Sequence, residues 1–96
     1  MLPLNIAKFV KQILTETREG RVTWSYDSDD DLVSTNYIGI YVSLGYMFDR
    51  DNEVGLYRLN IIQDGRNFFF PVNQHEDGYG LLKTLYFEAQ ASDFKF

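Results

Sequence analysis

Val54-Gly55-Leu56-Tyr57-Arg58-Leu59-Asn60-Ile61-Ile62-Gln63-Asp64-Gly65-Arg66-Asn67-Phe68-Phe69-Phe70-Pro71-Val72 is the stretch that decides the fold. Asp-Gly suits a two-residue type I′ turn, in which both central residues need φ > 0. With Asp64 and Gly65 as the loop, Gln63 faces Arg66 and every later partner follows by counting outward. Ile61 then stands opposite Phe68, Leu59 opposite Phe70 and Tyr57 opposite Val72, all on one apolar face, because side chains alternate with period two. Arg58, Asn60, Ile62, Asn67, Phe69 and Pro71 fall on the other face, a mixed surface that can meet water. A slip of one residue would exchange the faces, so turn chemistry and apolar pattern choose the same register.

Upstream, Pro3 to Glu19 reads as an amphipathic helix with Ile6, Phe9, Val10, Ile13, Leu14 and Thr17 on one side. Pro3 suits the first turn, and Gly20 suits a left-handed helix end. Arg21 to Tyr26 alternates as a short first strand that turns Val22, Trp24 and Tyr26 to the core. Asp27-Ser28-Asp29-Asp30-Asp31 is a loop. Asn36 to Phe48 reads as one long second strand, with Ile38, Ile40, Val42, Leu44, Tyr46 and Phe48 on one side and Tyr37, Gly39, Tyr41, Ser43, Gly45 and Met47 on the other. Asp49 to Glu53 connects it to the third and fourth strands, which are the two arms of the deciding stretch. Downstream, Gly78, Leu81, Leu82, Leu85, Tyr86 and Ala89 share one face of a second helix, Phe87 projects from its opposite side, and Asp77 is the expected N-cap. The tail Asp93-Phe94-Lys95-Phe96 is expected to dock as a short extended segment.

The expected fold is therefore α+β: an N-terminal helix, a four-stranded antiparallel meander sheet and a C-terminal helix, with both helices on one sheet face. Residues 1–96 form one domain, a size that supports a core without metal or disulfide staples. The absence of cysteine removes thiolate metal sites and cysteine nucleophiles. No apolar run reaches the length of a membrane span and the first residues lack a signal-peptide pattern, so a cytoplasmic protein is expected. A net charge of −5 argues against nucleic acid as a partner, since that affinity comes mainly from Lys and Arg on phosphates.

No catalytic constellation stands out. Asp27, Asp29 and Asp31 have the spacing that opens an EF-hand loop, but Leu32 replaces the required glycine and Ile38 the bidentate glutamate. His75-Glu76-Asp77 groups the single histidine with two carboxylates, yet sequence neighbours seldom point into one site and no nucleophile accompanies them. Gly78-Tyr79-Gly80 lacks the lysine and spacing of a phosphate loop. No cofactor, metal or catalytic residue is expected.

Two features point to binding instead. Residues 27–53 carry seven acids against Arg50, in two loops expected at opposite ends of the second strand. Tyr37, Tyr41, Met47, Ile62 and Phe69 are expected on the sheet face away from the helices, with Phe87 outside the last helix, more large apolar groups than a monomer usually shows. The leading expectation is a small acidic, non-enzymatic interaction module, an inhibitor, immunity or accessory protein. Its partner is another protein or a second copy, with Asp29, Asp30, Asp31, Tyr37, Tyr41, Phe69 and Phe87 at the contact. The alternative is a ligand-binding or sensory domain with a pocket between helices and sheet, lined by residues such as Trp24, Tyr46 and Tyr57. Catalysis by His75 with Glu76 or Asp77 ranks last.

Overall fold

The computed structural model describes residues 2–94. The elements run α1 (Leu4–Arg18), β1 (Ser25–Asp27), β2 (Leu32–Tyr37), β3 (Ile40–Asp49), β4 (Val54–Gln63), β5 (Arg66–Asn73) and α2 (Tyr79–Ser92). The strands form one antiparallel sheet in the order β1-β2-β3-β4-β5. The β4–β5 hairpin has the register dictated by Asp64-Gly65: Gln63 faces Arg66, Ile61 faces Phe68, Leu59 faces Phe70 and Tyr57 faces Val72. Pro71 lies on the outer strand, where its ring removes a donor from an edge otherwise open to strand addition.

The sheet has five strands, not four. The stretch expected as a single strand from Asn36 to Phe48 is broken at Ile38 and Gly39, whose φ angles of 46° and 77° make a second two-residue hairpin. Tyr37 consequently pairs with Ile40, Asn36 with Tyr41 and Val33 with Leu44. Residues flanking a two-residue loop share a face, so Tyr37 moves to the helix side, contrary to its expected place on the open side. There its ring lies 6.1 Å from that of Phe9 and its hydroxyl accepts a 2.8 Å hydrogen bond from Gln12 Nε2. Ile38 becomes an exposed turn residue rather than a core one.

One face of the sheet carries the core. Val33, Val42, Leu44, Tyr57, Leu59, Ile61 and Val72 are buried there against Val10, Ile13 and Leu14 of α1 and Leu82, Leu85, Tyr86 and Ala89 of α2. Phe48, expected in this set, is 52 % exposed, on the part of β3 that continues beyond Leu32, the first residue of β2. The helices run in the same direction across the sheet: Leu2 packs on Gly78 at one end, and Arg18 stands 3.8 Å from Glu88 at the other. Among the described residues no helix covers the opposite sheet face.

Local sequence explains the helix ends. Gly20, at φ 79°, lets Arg21 N–H reach Glu16 O and Gly20 N–H reach Thr17 O, the paired bonds of a Schellman end. The Arg21 guanidinium then folds back onto the carboxylates of Glu16 and Glu19, and its hydrogen bond holds the Glu16 carboxyl below the usual range. Thr17 is buried because it links helix to strand: its hydroxyl donates to Ile13 O at 2.7 Å and accepts from Trp24 Nε1 at 2.9 Å. The Trp24 N–H is taken by Ser92 Oγ, so residues 21–24 stay outside the sheet ladder and β1 is shorter than its alternation suggests. Asp77 does not cap α2; the N-cap is Gly78, without a side-chain bond. Phe94 is exposed and its N–H turns back to Ala91 O, continuing the helix end instead of docking as a strand, while residues 95–96 lie outside the described part.

Candidate functional site

The second hairpin also changes where the charges sit. With β2 and β3 separating them, the loops after Asp27 and after Asp49 emerge at the same end of the sheet, not at opposite ends. The connection from β5 to α2 emerges there too. Asp27, Asp29, Asp30, Asp31, Asp49, Asp51, Glu53, Glu76 and Asp77 thus gather at one end with Arg50 as the basic residue among them. The rest of the chain carries more basic than acidic residues, so the molecule is strongly polarised. The loops are ordered by their own carboxylates: Asp27 Oδ1 accepts from Asp29 N–H at 3.0 Å, and Asp49 accepts from Asp51 and Asn52. The Asn52 side chain holds the Asp49 carboxyl below the usual range. Among the described residues no cluster of three His, Cys, Asp or Glu is placed to hold a metal ion.

At this acidic end, on the helix side of the sheet, tyrosines converge. Tyr46 and Tyr57 are cross-strand partners on β3 and β4, Tyr26 projects from the short edge strand, and Tyr79 and Tyr86 stand two turns apart on the inner face of α2. Ring centroids lie 5.1 Å apart for Tyr46–Tyr57, 5.2 Å for Tyr57–Tyr79 and 5.4 Å for Tyr57–Tyr86. Phe87 extends the wall, edge-on to Tyr86 at 5.9 Å. Together with Asp31, Lys83 and Gln90 they line a cleft of about 410 Å³. Burial raises the Tyr57 and Tyr86 phenols to about 12, and at Tyr86 the neighbouring Tyr26 and Asp31 add to the rise. Tyr26 in turn donates to Asp31 Oδ1 at 3.4 Å.

On the open face the side chains form cross-strand rows. Ser34, Ser43, Asn60 and Phe69 make one, and Asn36, Tyr41, Ile62 and Asn67 another. Phe69 is 55 % exposed, Met47 and Ile62 are exposed, and Tyr41 is half-buried. Arg58 lies flat across β3, its Nη2 only 3.3 Å from where a side chain on Gly45 would begin. Its Nε and the Oδ1 of Asn60 are out of solvent and, among the described residues, have no hydrogen-bond partner. A shallow groove of about 390 Å³ runs here between Asp30 and Phe69.

The residues singled out from sequence are thus divided. Asp31 and Phe87 join the tyrosine cleft, Asp30 and Phe69 border the open-face groove, and Asp29 stands exposed in the loop between the two sites. Tyr41 lies one row further along the open face, and Tyr37 is on the other side under α1. Of the residues expected to line a pocket, Tyr46 and Tyr57 do so, whereas Trp24 is sealed in the core. Tyr26, Tyr79 and Tyr86 were not grouped by sequence, although the i, i+7 spacing of Tyr79 and Tyr86 on one helix face was readable. His75 is exposed in the turn after β5, its N–H bonded to Asn73 Oδ1 at 2.8 Å.

Comparison of the chain with models of known protein families, with characterised proteins and with solved structures gives no significant match. No helix among the described residues is long and apolar enough to cross a membrane.

Proposed function

We propose that the protein is a small acidic, non-enzymatic interaction module, an inhibitor, immunity or accessory protein, that docks on a basic surface of another protein. The observation that supports this best is the gathering of three acidic connections at one end, beside an aromatic cleft on one face and an aromatic-edged groove on the other. Carboxylates at the tips of loops steer a basic partner from a distance, and desolvated aromatic side chains supply most of the affinity once contact is made. Asp29, Asp30, Asp31, Phe87, Phe69 and Tyr41 are the residues we assign to contact; Tyr37, sheltered by α1, is not among them. The test is capture of partners from the cell of origin by the wild-type chain and by a variant with Asp29, Asp30 and Asp31 all changed to Ser. Loss of a partner, with a flatter dependence on salt, is expected; unchanged recovery and salt dependence would reject electrostatic docking.

A second reading, a small-ligand domain, is favoured by a separate groove of about 350 Å³ between the start of α1 and the sheet, walled by Ile6, Phe9, Ile40, Ile61 and Phe70. An apolar ligand seated there would raise the melting temperature in a thermal-shift screen, and Ile61→Glu would abolish that rise.

A further inference from the structure

The tyrosine cleft has a chemistry more specific than a generic aromatic surface. Tyr57, which lines it, is only 3 % exposed. Its phenol borders a space of about 410 Å³, large enough for a ligand group. Four further tyrosine rings surround that space, and the faces of such rings carry the negative lobes of the π system. Asp31 supplies a full negative charge at the mouth. It is held from two sides: its main-chain oxygen accepts from Tyr46 N–H at 3.1 Å, and its carboxylate accepts from Tyr26 at 3.4 Å. Beyond Asp31 lies the acidic loop, so the field over the entrance favours cations and repels anions. Lys83 is the opposing charge on the rim; it is exposed on α2, and its long stem lets the ammonium turn to water.

We propose that this cleft binds the cationic tip of an alkyl chain, an ammonium or guanidinium group carried by a Lys or Arg side chain of the partner. The alkyl stem packs along Phe87 and Tyr86, the charge lies against the tyrosine faces beside Asp31, and one N–H donates to the Tyr57 oxygen. This rests on the docking reading above and names what that docking recognises. A neutral apolar group would use the rings but bring no opposite charge to the Asp31 carboxylate.

The test is a titration of the full chain, followed through its tyrosine ring signals by NMR, with n-butylammonium, n-butylguanidinium, neutral 1-pentanol and butyrate, and with capped Gly-Lys-Gly and Gly-Gln-Gly peptides. Both cations and the lysyl peptide are expected to give saturable shifts at Tyr46, Tyr57, Tyr79 and Tyr86, and the others none. Tyr57→Phe, which keeps the ring, should weaken cation binding by roughly fivefold, Asp31→Asn by roughly threefold, and Lys83→Gln should strengthen it. Equal shifts from 1-pentanol, tighter binding of butyrate, or no effect of Tyr57→Phe and Asp31→Asn would overturn the proposal. Binding of the free cations without the lysyl peptide would overturn the assignment to a partner side chain. Absence of saturable cation binding by the wild-type chain, with partner capture still dependent on Asp29 and Asp30, would reject the cleft alone, and cation binding with capture independent of those carboxylates would reject the docking reading alone.

Discussion

The ring of Tyr46 lies over the α-carbon of Gly55, so close that a Cβ on Gly55 would stand 2.5 Å from the Tyr46 hydroxyl and 3.2 Å from the ring carbons. Glycine is needed here for space, because it lets the phenol lie across the neighbouring strand and form one wall of the cleft. Gly55→Ala should therefore push Tyr46 off its seat and cost about 1–3 kcal/mol, the range for overpacking a filled site. Urea denaturation reads the cost, and the ring signals of Tyr46 and Tyr57 read the displacement. Unchanged stability and unchanged ring signals would mean that Tyr46 does not occupy this place.

Thr17 joins the end of α1 to the first extended segment by accepting from Trp24 Nε1. Thr17→Val keeps the shape and removes the acceptor, leaving a buried indole N–H unpaired. The expected loss is about 1–3 kcal/mol, together with faster exchange of the Trp24 indole proton. Exchange at the wild-type rate would show that this bond does not hold the indole.

Ile38 occupies a left-handed turn position at φ 46° while 71 % exposed. A β-branched residue is strained there and gains nothing from burial, whereas asparagine tolerates the conformation. Ile38→Asn is expected to stabilise the protein by about 1 kcal/mol, seen as a higher melting temperature. A lower melting temperature would contradict the turn.

That turn explains what sequence could and could not show. Asp64-Gly65 announced its hairpin because its residues suit φ > 0, and the pairing of Tyr57 with Val72 followed by counting. Ile38-Gly39 carried no such signal: an isoleucine between Tyr37 and Ile40 continues an apolar alternation and hides the reversal. Read without that reversal, Tyr37 falls on the wrong face and, with one strand fewer, the two acidic loops fall at opposite ends of a strand. Both helix faces were legible from their three-and-four spacing, and Gly20 marked the end of α1. The tyrosine cleft was only half legible, since Tyr46 and Tyr57 are neighbours on a hairpin while Tyr26, Tyr79, Tyr86 and Asp31 reach it through tertiary packing.

The phenols set an alkaline limit. Tyr57 and Tyr86 are raised to about 12 in the folded state, chiefly by burial, against about 10 for an unfolded tyrosine. A folded pKa above the unfolded one contributes stability that is complete below pH about 10 and is lost as pH rises toward about 12. Stability measured by urea should thus fall across that window, while phenolate absorbance rises late for part of the tyrosines. Tyr57→Phe should blunt the fall. Tyrosines that all titrate together at their ordinary value would contradict the buried cluster.

The account turns on the acidic loops and the tyrosine cleft sharing one end of the sheet. With no native cysteine in the chain, a nitroxide on Ser28→Cys can be placed without ambiguity and its paramagnetic broadening followed by NMR. It should broaden the rings of Tyr26 and Tyr46 and the amides of residues 50–53 more strongly than residues 38–39 and 64–65. Strong broadening at the two tight turns, with residues 50–53 untouched, would place the loops at opposite ends and contradict it.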